Sequence, residues 1–404
     1  MRNILRYLLG GIVLLVALQA NAQLSAFDLN KPIGFGENVT GGDGGIDITV
    51  TNSAELKTAL KKGSVAKNIY IKGAIEVSTM ISAEVSNVTI YGLPGSYLYN
   101  TNRTRSGSGI LYFKRGNNIV LRNLTFKSAG AYDVDGNDNL CIDKCTNVWV
   151  DHCDFQDGVD GNFDCKNASD DIAVTWCRFR YLIKPMAGGS GGSNDHRFSN
   201  LWGSSDSATG DRNHLKTTFQ FCLWEDCAGR MPRVRFGKVH LINCYYAPKQ
   251  DAKSVQCGNE SNIFIENCHF DGIQLPWANY ATDNSFYYLT EQGSLFTDCS
   301  RPTEPGKDAS FVPNYATAVK AVPATEVKGA VYGEYGAGAT LNVVENEGVI
   351  GANSIKSIEE TAGKVIKTEY YTLSGVQIMN PQSGLFIVRR TLSDGKVLME
   401  KVVL

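Results

Sequence analysis

The 404-residue sequence has almost no net charge: 39 Lys and Arg stand against 41 Asp and Glu, a formal charge of -2. That excludes a protein built to bind nucleic acid by bulk charge and makes any electrostatic function local. No CxxC pair occurs among the eleven cysteines, so the usual zinc spacing is missing, and their odd number argues against a complete disulfide framework. Beyond the first residues, no apolar run approaches the roughly 18 to 20 residues that span a bilayer. The start itself has Arg2 and Arg6, an apolar run over residues 8–18 and a small-residue Ala20-Asn21-Ala22 site. This pattern predicts a secretory signal peptide over residues 1–22, cut before Gln23. The residue after the site is not Cys, which argues against a lipid anchor. A secreted or cell-surface protein is expected, with a periplasmic one as the alternative.

Forty-one glycines and eighteen tyrosines fit many short strands separated by turns. Residues 54–61 carry Leu56, Ala59 and Leu60 at the spacing of a short amphipathic helix. The strand-rich segments then repeat. Written on one column, they place Leu124, Cys153, Cys177, Cys222, Cys244 and Cys268 at successive spacings of 29, 24, 45, 22 and 24 residues. A period of this length predicts a solenoid whose coils stack their apolar positions on one another. The 45-residue gap reads as one coil plus an excursion through the glycine-rich residues 185–193. The cysteine column reads as a stack of small buried side chains, with disulfides between some neighbours as the alternative. From about residue 340 the repeat is lost. We read residues 23–340 as the main domain, 341–361 as a linker and 362–404 as a small β module.

Two stretches carry chemistry. Between Asp138 and Asp164 there are seven aspartates and a single lysine, Lys144. Such a cluster is costly unless it is solvated or holds a cation, and its hard oxygen donors suit calcium better than zinc. Asp160 and Asp164 flank a glycine, and Asp138 lies about one coil earlier, so stacking would bring the three together. The second stretch is Arg230-Met-Pro-Arg-Val-Arg235, with three guanidinium groups in six residues. Arginines so close repel one another, which points to an anionic ligand; a solvated basic strand is the competing reading. Val234 and Phe236 alternate with Arg233 and Arg235, the pattern of a half-buried strand turning its arginines outward.

Taken together, Thr40-Gly-Gly-Asp-Gly-Gly45, Val148-Trp-Val-Asp-His152, Asp160-Gly-Asn-Phe-Asp164, a Gly-Ser-Ser-Asp206 segment and Arg230-Met-Pro-Arg-Val-Arg235 resemble, in this order, the polysaccharide lyase family 1 pectate lyases. The likeness covers roughly residues 31 to 340. It implies an all-β chain, a right-handed parallel β-helix with a small C-terminal β appendage. It also implies β-elimination of de-esterified polygalacturonate with Ca2+ as cofactor. By motif, Asp160 and Asp164 fall on calcium ligands, as does Asp138, whose surroundings match imperfectly because the family's Trp is missing. Arg230 falls on the base and Arg235 on the contact to the substrate carboxylate. Lys184 is matched to the substrate lysine, and Arg233 is a neighbour acting on substrate through its charge. Asp151 and His152 are expected to be structural. The tail resembles the C-terminal sorting tails of type IX secretion substrates.

A uronate loses a proton α to its carboxylate in such a reaction, and the dianionic enolate needs concentrated positive charge. Calcium dependence is therefore expected, and an arginine base, almost wholly protonated near neutral pH, makes an alkaline optimum the further expectation. The rival readings are a pectin lyase on methylated polymer, a β-helix hydrolase with paired carboxylates, and a noncatalytic uronan-binding surface protein. No oligomer is expected.

Overall fold

A computed structural model describes residues 27–247, 252–300, 307–308, 311–350, 365–372, 377–378, 385–392 and 397–403. The expected signal peptide lies outside them. The chain divides into two compact units, Met1–Ile350 and Gly351–Leu404.

The first unit is a right-handed parallel β-helix. Among the described residues, eight coils contribute one strand to each of three parallel sheets, and incomplete coils at the ends bring the sheets to ten, nine and eight strands. The coil bends sharply between the ten-stranded and nine-stranded sheets, and each bend uses a residue with positive φ. Asn123, His152, Trp176, Phe221, Asn243 and Asn267 take φ between 46° and 58°. Only asparagine adopts this region readily, so the bulky corners must be held by packing. They are: the Trp176 and Phe221 rings stack at 4.1 Å, and His152 stacks on Trp176 at 5.7 Å.

The residue after each corner is the column read from the sequence. Cys153, Cys177, Cys222, Cys244 and Cys268 are fully buried and free. Each thiol donates to a carbonyl of the preceding coil, from Cys177 Sγ to Val150 at 3.4 Å and Cys268 Sγ to Leu241 at 3.4 Å, for example. A thiol is small enough for the bend and satisfies itself with one weak bond. Two residues further on, the nine-stranded sheet turns an aromatic ring inward from coil after coil. Phe126, Phe155, Phe179, Trp224, Tyr246, Phe270 and Phe296 stack at 4.4 to 5.5 Å. Burying each such ring is worth roughly 1.5–3 kcal/mol, so this ladder is a principal source of cohesion along the axis.

The expected helix is Ser53–Ala59, capped by Asn52, whose side chain accepts from the Ala54 and Glu55 amides. Of the stretch expected as a linker, residues 341–350 form a short hairpin pairing Val343 with Val349, and Leu341 and Val343 pack against Tyr70; residues 351–361 lie outside the described set. The second unit is a four-stranded antiparallel sheet of Val365–Tyr371, Gln377–Ile378, Leu385–Leu392 and Val397–Val403. Among the described residues no helix is long and apolar enough to cross a membrane.

Candidate active site

The site is built on the outer face of the eight-stranded sheet. Parallel register makes rows of side chains along the axis: Tyr112 pairs with Cys141, Cys141 with Asp164, Leu201 with Arg233, and Arg233 with Gln256. The Cys165–Trp202–Val234 register places Asp164 and Arg233 on one row two coils apart, about 10 Å at the usual strand spacing. Just before these strands, backbone bonds stack the entering segments: Asn139 N to Gly161 O at 3.1 Å, Asn162 N to Ser199 O at 2.8 Å and Asn200 N to Arg230 O at 2.7 Å. Asp138, Asp160, Phe198 and Arg230 thus approach the sheet on successive coils.

Asp138, Asp160 and Asp164 face one cavity of about 240 Å³ together with Tyr112 and Lys166. Gly161 makes their approach possible, since a Cβ there would lie 2.7 Å from Asp138 Oδ1 and 3.2 Å from Asp164 Oδ1. Burial, then the charges of Asp164 and Asp160, pushes the Asp138 carboxyl well up. Burial likewise holds Asp164 at about 7, with the Arg230 charge opposing and Asp160 adding to the rise. Asp138 Oδ1 is buried without a hydrogen-bond partner.

Among the described residues, no three His, Cys, Asp or Glu side chains are gathered as a closed metal centre. The donors nevertheless fit a hard divalent cation: Asp138 and Asp164, whose proton affinity is raised by burial and neighbouring negative charge, Asp160 beside them, and the orphaned buried Oδ1 of Asp138. A cation there would relieve both the crowded negative charge and the orphaned oxygen.

Arg230 is in the left-handed region at φ 55°, and its guanidinium lies 4.6 Å from the Phe198 ring centroid. Arg233 begins the two-residue strand Arg233–Val234 and lies over Tyr280 at 5.0 Å. Its Nε is buried without a partner. Burial, then the Arg235 and Arg230 charges, lowers its pKa to about 10. Arg235, expected to face outward, is only 7% exposed. The loop over residues 203–206 covers it: Nε donates to Asp206 Oδ1 at 2.6 Å and Nη1 to the Gly203 carbonyl at 2.8 Å. Val234 points into the core, as the alternation predicts, whereas Phe236 lies past the end of the strand at φ 60° and is buried with the Arg212 guanidinium 5.7 Å from its ring.

Lys184 is exposed on the segment following Leu182 and Ile183, whose amides bond to Asp157, and no described contact joins it to the cavity. The ammonium that does face the carboxylates is Lys166. Burial opposes its charge, but Cys141, Tyr112, Asp138 and Asp164 push its pKa up on balance. Nothing in the sequence around Lys166 marks it; only the register, one coil from Asp143, reveals its place. Tyr280, which lies against Arg233, is unmarked in the sequence for the same reason. Asp151, by contrast, is a buried acceptor for Arg122 and Thr175, with His152 Nδ1 2.9 Å away, at the end of the ten-stranded sheet.

A profile described as pectate lyase matches residues 2–312. The chain belongs to the pectate lyase family and is a lyase of that class. A probable pectate lyase B of Aspergillus terreus is 33% identical over 250 residues, covering 59% of this chain and 68% of that protein. A pectate trisaccharide-lyase of Thermotoga maritima is 28% identical over 255 residues, 58% of this chain and 61% of that one. The chain thus spans about two thirds of the length of these relatives. Among solved structures, a pectate lyase from Paenibacillus sp. 0602 superimposes with a TM-score of 0.63 at 16% identity, over 78% of this chain and 98% of that one. A pectate lyase from Bacillus sp. N165, solved in complex with trigalacturonate, gives 0.59 at 18% identity, over 76% and 99%. At such identities the structures speak for the fold alone, a parallel β-helix.

Proposed function

We propose that the protein is a calcium-dependent pectate lyase that cleaves de-esterified polygalacturonate by β-elimination and releases 4,5-unsaturated oligogalacturonides. The observation that carries this reading is the pairing, on one sheet face, of a three-carboxylate cavity with an arginine row two coils away. A polyanionic chain lying along the axis would meet cationic groups at coil-length intervals. The relatives named pectate lyase and pectate trisaccharide-lyase support the substrate class.

In the proposed reaction the proton leaves C5 of a uronate, the C4–O bond breaks, a C4=C5 double bond forms and the departing oxygen takes up a proton. Arg230 is the proposed base, and Arg235, held at a fixed angle by Asp206, clamps the substrate carboxylate. Lys166 adds positive charge at the carboxylate cavity. Asp138, Asp160 and Asp164 would hold Ca2+, which supplies charge stabilisation for the carboxylate of the substrate. Arg233 is the second reading for the base, because its pKa of about 10 lets it release a proton more readily than an ordinary guanidinium.

The test measures unsaturated product by ultraviolet absorbance on polygalacturonate, with calcium and with a chelator, for the wild type, Arg230→Lys and Arg233→Lys. Turnover should require calcium and collapse in Arg230→Lys. Wild-type turnover in that variant refutes the assignment of the base, and collapse in Arg233→Lys alone transfers the role. Product from methylated pectin without calcium would instead make the chain a pectin lyase, and no product at all a uronan-binding protein.

We also propose export through the signal over residues 1–22 and a sorting role for the C-terminal residues, as their sequence patterns suggest. Mass spectrometry of protein recovered outside the cell should find Gln23 at the N-terminus; an intact Met1 refutes this.

A further inference from the structure

The glycine-rich excursion over residues 185–193 has no task in the lyase reading. Its glycines close around one residue. The Asp133 carbonyl accepts the Gly191 amide at 2.8 Å, and its carboxylate accepts the Ser193 amide at 2.7 Å. A Cβ on Gly191 would lie 1.9 Å from Asp133 Oδ1, so only glycine permits this approach. The start of the excursion is fastened to the same coil, with Met186 N donating to Ala131 O at 2.8 Å.

Just beyond the excursion, His196 is 5% exposed and sits between two carboxylates. Its Nε2 is hydrogen-bonded to Asp160 Oδ1 at 3.0 Å, and its Nδ1 lies 3.3 Å from Asp133 Oδ1, a close contact without hydrogen-bond geometry. The ring packs on Phe198 at 4.5 Å, the same ring that carries Arg230. A continuous set of contacts therefore runs from the excursion through Asp133 and His196 to one of the three cavity carboxylates. Asp160 experiences the like charge of its neighbours, which favours swinging out to solvent. A donor fixed to one of its oxygens opposes that swing and leaves the other oxygen for the cavity.

We propose that Asp133 and His196 are positioning residues that hold Asp160 in the carboxylate trio, so that divalent-cation binding and ordering of the excursion are thermodynamically linked. The linkage rests on the calcium reading and is reciprocal: whatever affinity the cation gains from an ordered excursion, the excursion gains in order from the cation.

The experiment uses the full chain freed of metal. Calcium affinity is measured by titration calorimetry, and hydrogen exchange of residues 186–194 is followed with and without calcium. His196→Ala should weaken calcium binding about tenfold, within the range for loss of an outer partner of a metal ligand, and abolish the calcium-induced protection of the excursion. His196→Gln, which returns an N–H donor near Nε2, should recover most of both. Asp133→Asn reads the same two quantities from the other end of the contact, should His196→Ala not fold. Wild-type affinity in His196→Ala, or an excursion whose exchange ignores calcium in the wild type, overturns the linkage while leaving the lyase reading intact. A wild type that binds no calcium overturns both.

Discussion

Asp164 allows the acidic cavity to be tested by stability rather than by turnover. Its pKa is held at about 7 against an ordinary 3.8, by burial first, with Arg230 opposing and Asp160 reinforcing. A rise of about three pH units corresponds to on the order of 4 kcal/mol, at 1.36 kcal/mol per unit. The sign follows from proton counts. Between about pH 4 and pH 7 the unfolded chain has released this proton and the folded chain has not, so stability falls as pH rises through that window and levels off above it. Asp164→Asn removes this charge and its share of the slope, leaving that of Asp138. Denaturant unfolding followed by tryptophan fluorescence, in chelator at intervals from pH 4 to pH 8, should show the metal-free wild type losing several kcal/mol relative to the variant. Calcium at a hundred times its dissociation constant should return about 2.7 kcal/mol to the wild type at pH 8, and less to the variant. Parallel pH profiles for the two proteins would refute the claim that this cavity concentrates uncompensated negative charge.

Other consequences are simpler to read. Arg230→Lys should lower kcat at least a hundredfold, the lower range for loss of a general base, with an unchanged circular dichroism spectrum. Asp206→Ala removes the 2.6 Å partner of Arg235; because Asp206 is partly exposed, stability should drop by only about 1 kcal/mol, whereas KM for polygalacturonate should rise markedly in steady-state assays. Phe155→Ala takes one ring from between Phe126 at 4.7 Å and Phe179 at 5.1 Å; unfolding should show a loss of about 3–5 kcal/mol. Calcium affinity should rise with pH through about 7 in calorimetric titrations, since the Asp164 carboxyl, and the Asp138 carboxyl that burial also pushes well up, must release protons to bind it.

The solenoid was legible because its bends demand the same thing each time. A left-handed corner followed by a small buried side chain leaves a column of Cys at the coil period, visible without coordinates. The excursion within the 45-residue gap could be read for the same reason, since Cys177 and Cys222 fall on adjacent coils. Asp138, Asp160, Asp164 and the arginines stood out through local density of like charge. What the sequence hid were partners brought together only by stacking. Lys166 has no distinctive neighbours, Tyr280 reaches Arg233 from a later coil, and Asp133 meets His196 across 63 residues. The burial of Arg235 was equally hidden, because strand alternation says which way a side chain leaves the sheet and nothing about a loop folded over it.

The row register between Asp164 and Arg233 gives the site an arithmetic of its own. Distances along the axis come in whole coils of about 4.8 Å, so gaining or losing one coil between these residues would move the carboxylates from the arginines by a full step, with no intermediate spacing available. Loop changes can alter what covers the groove, as the residues over Arg235 do, but cannot shift this interval gradually. The scaffold therefore behaves as a ruler with fixed divisions, and diversification of such a site is confined to the choice of side chain at each mark and to the loops at its edge.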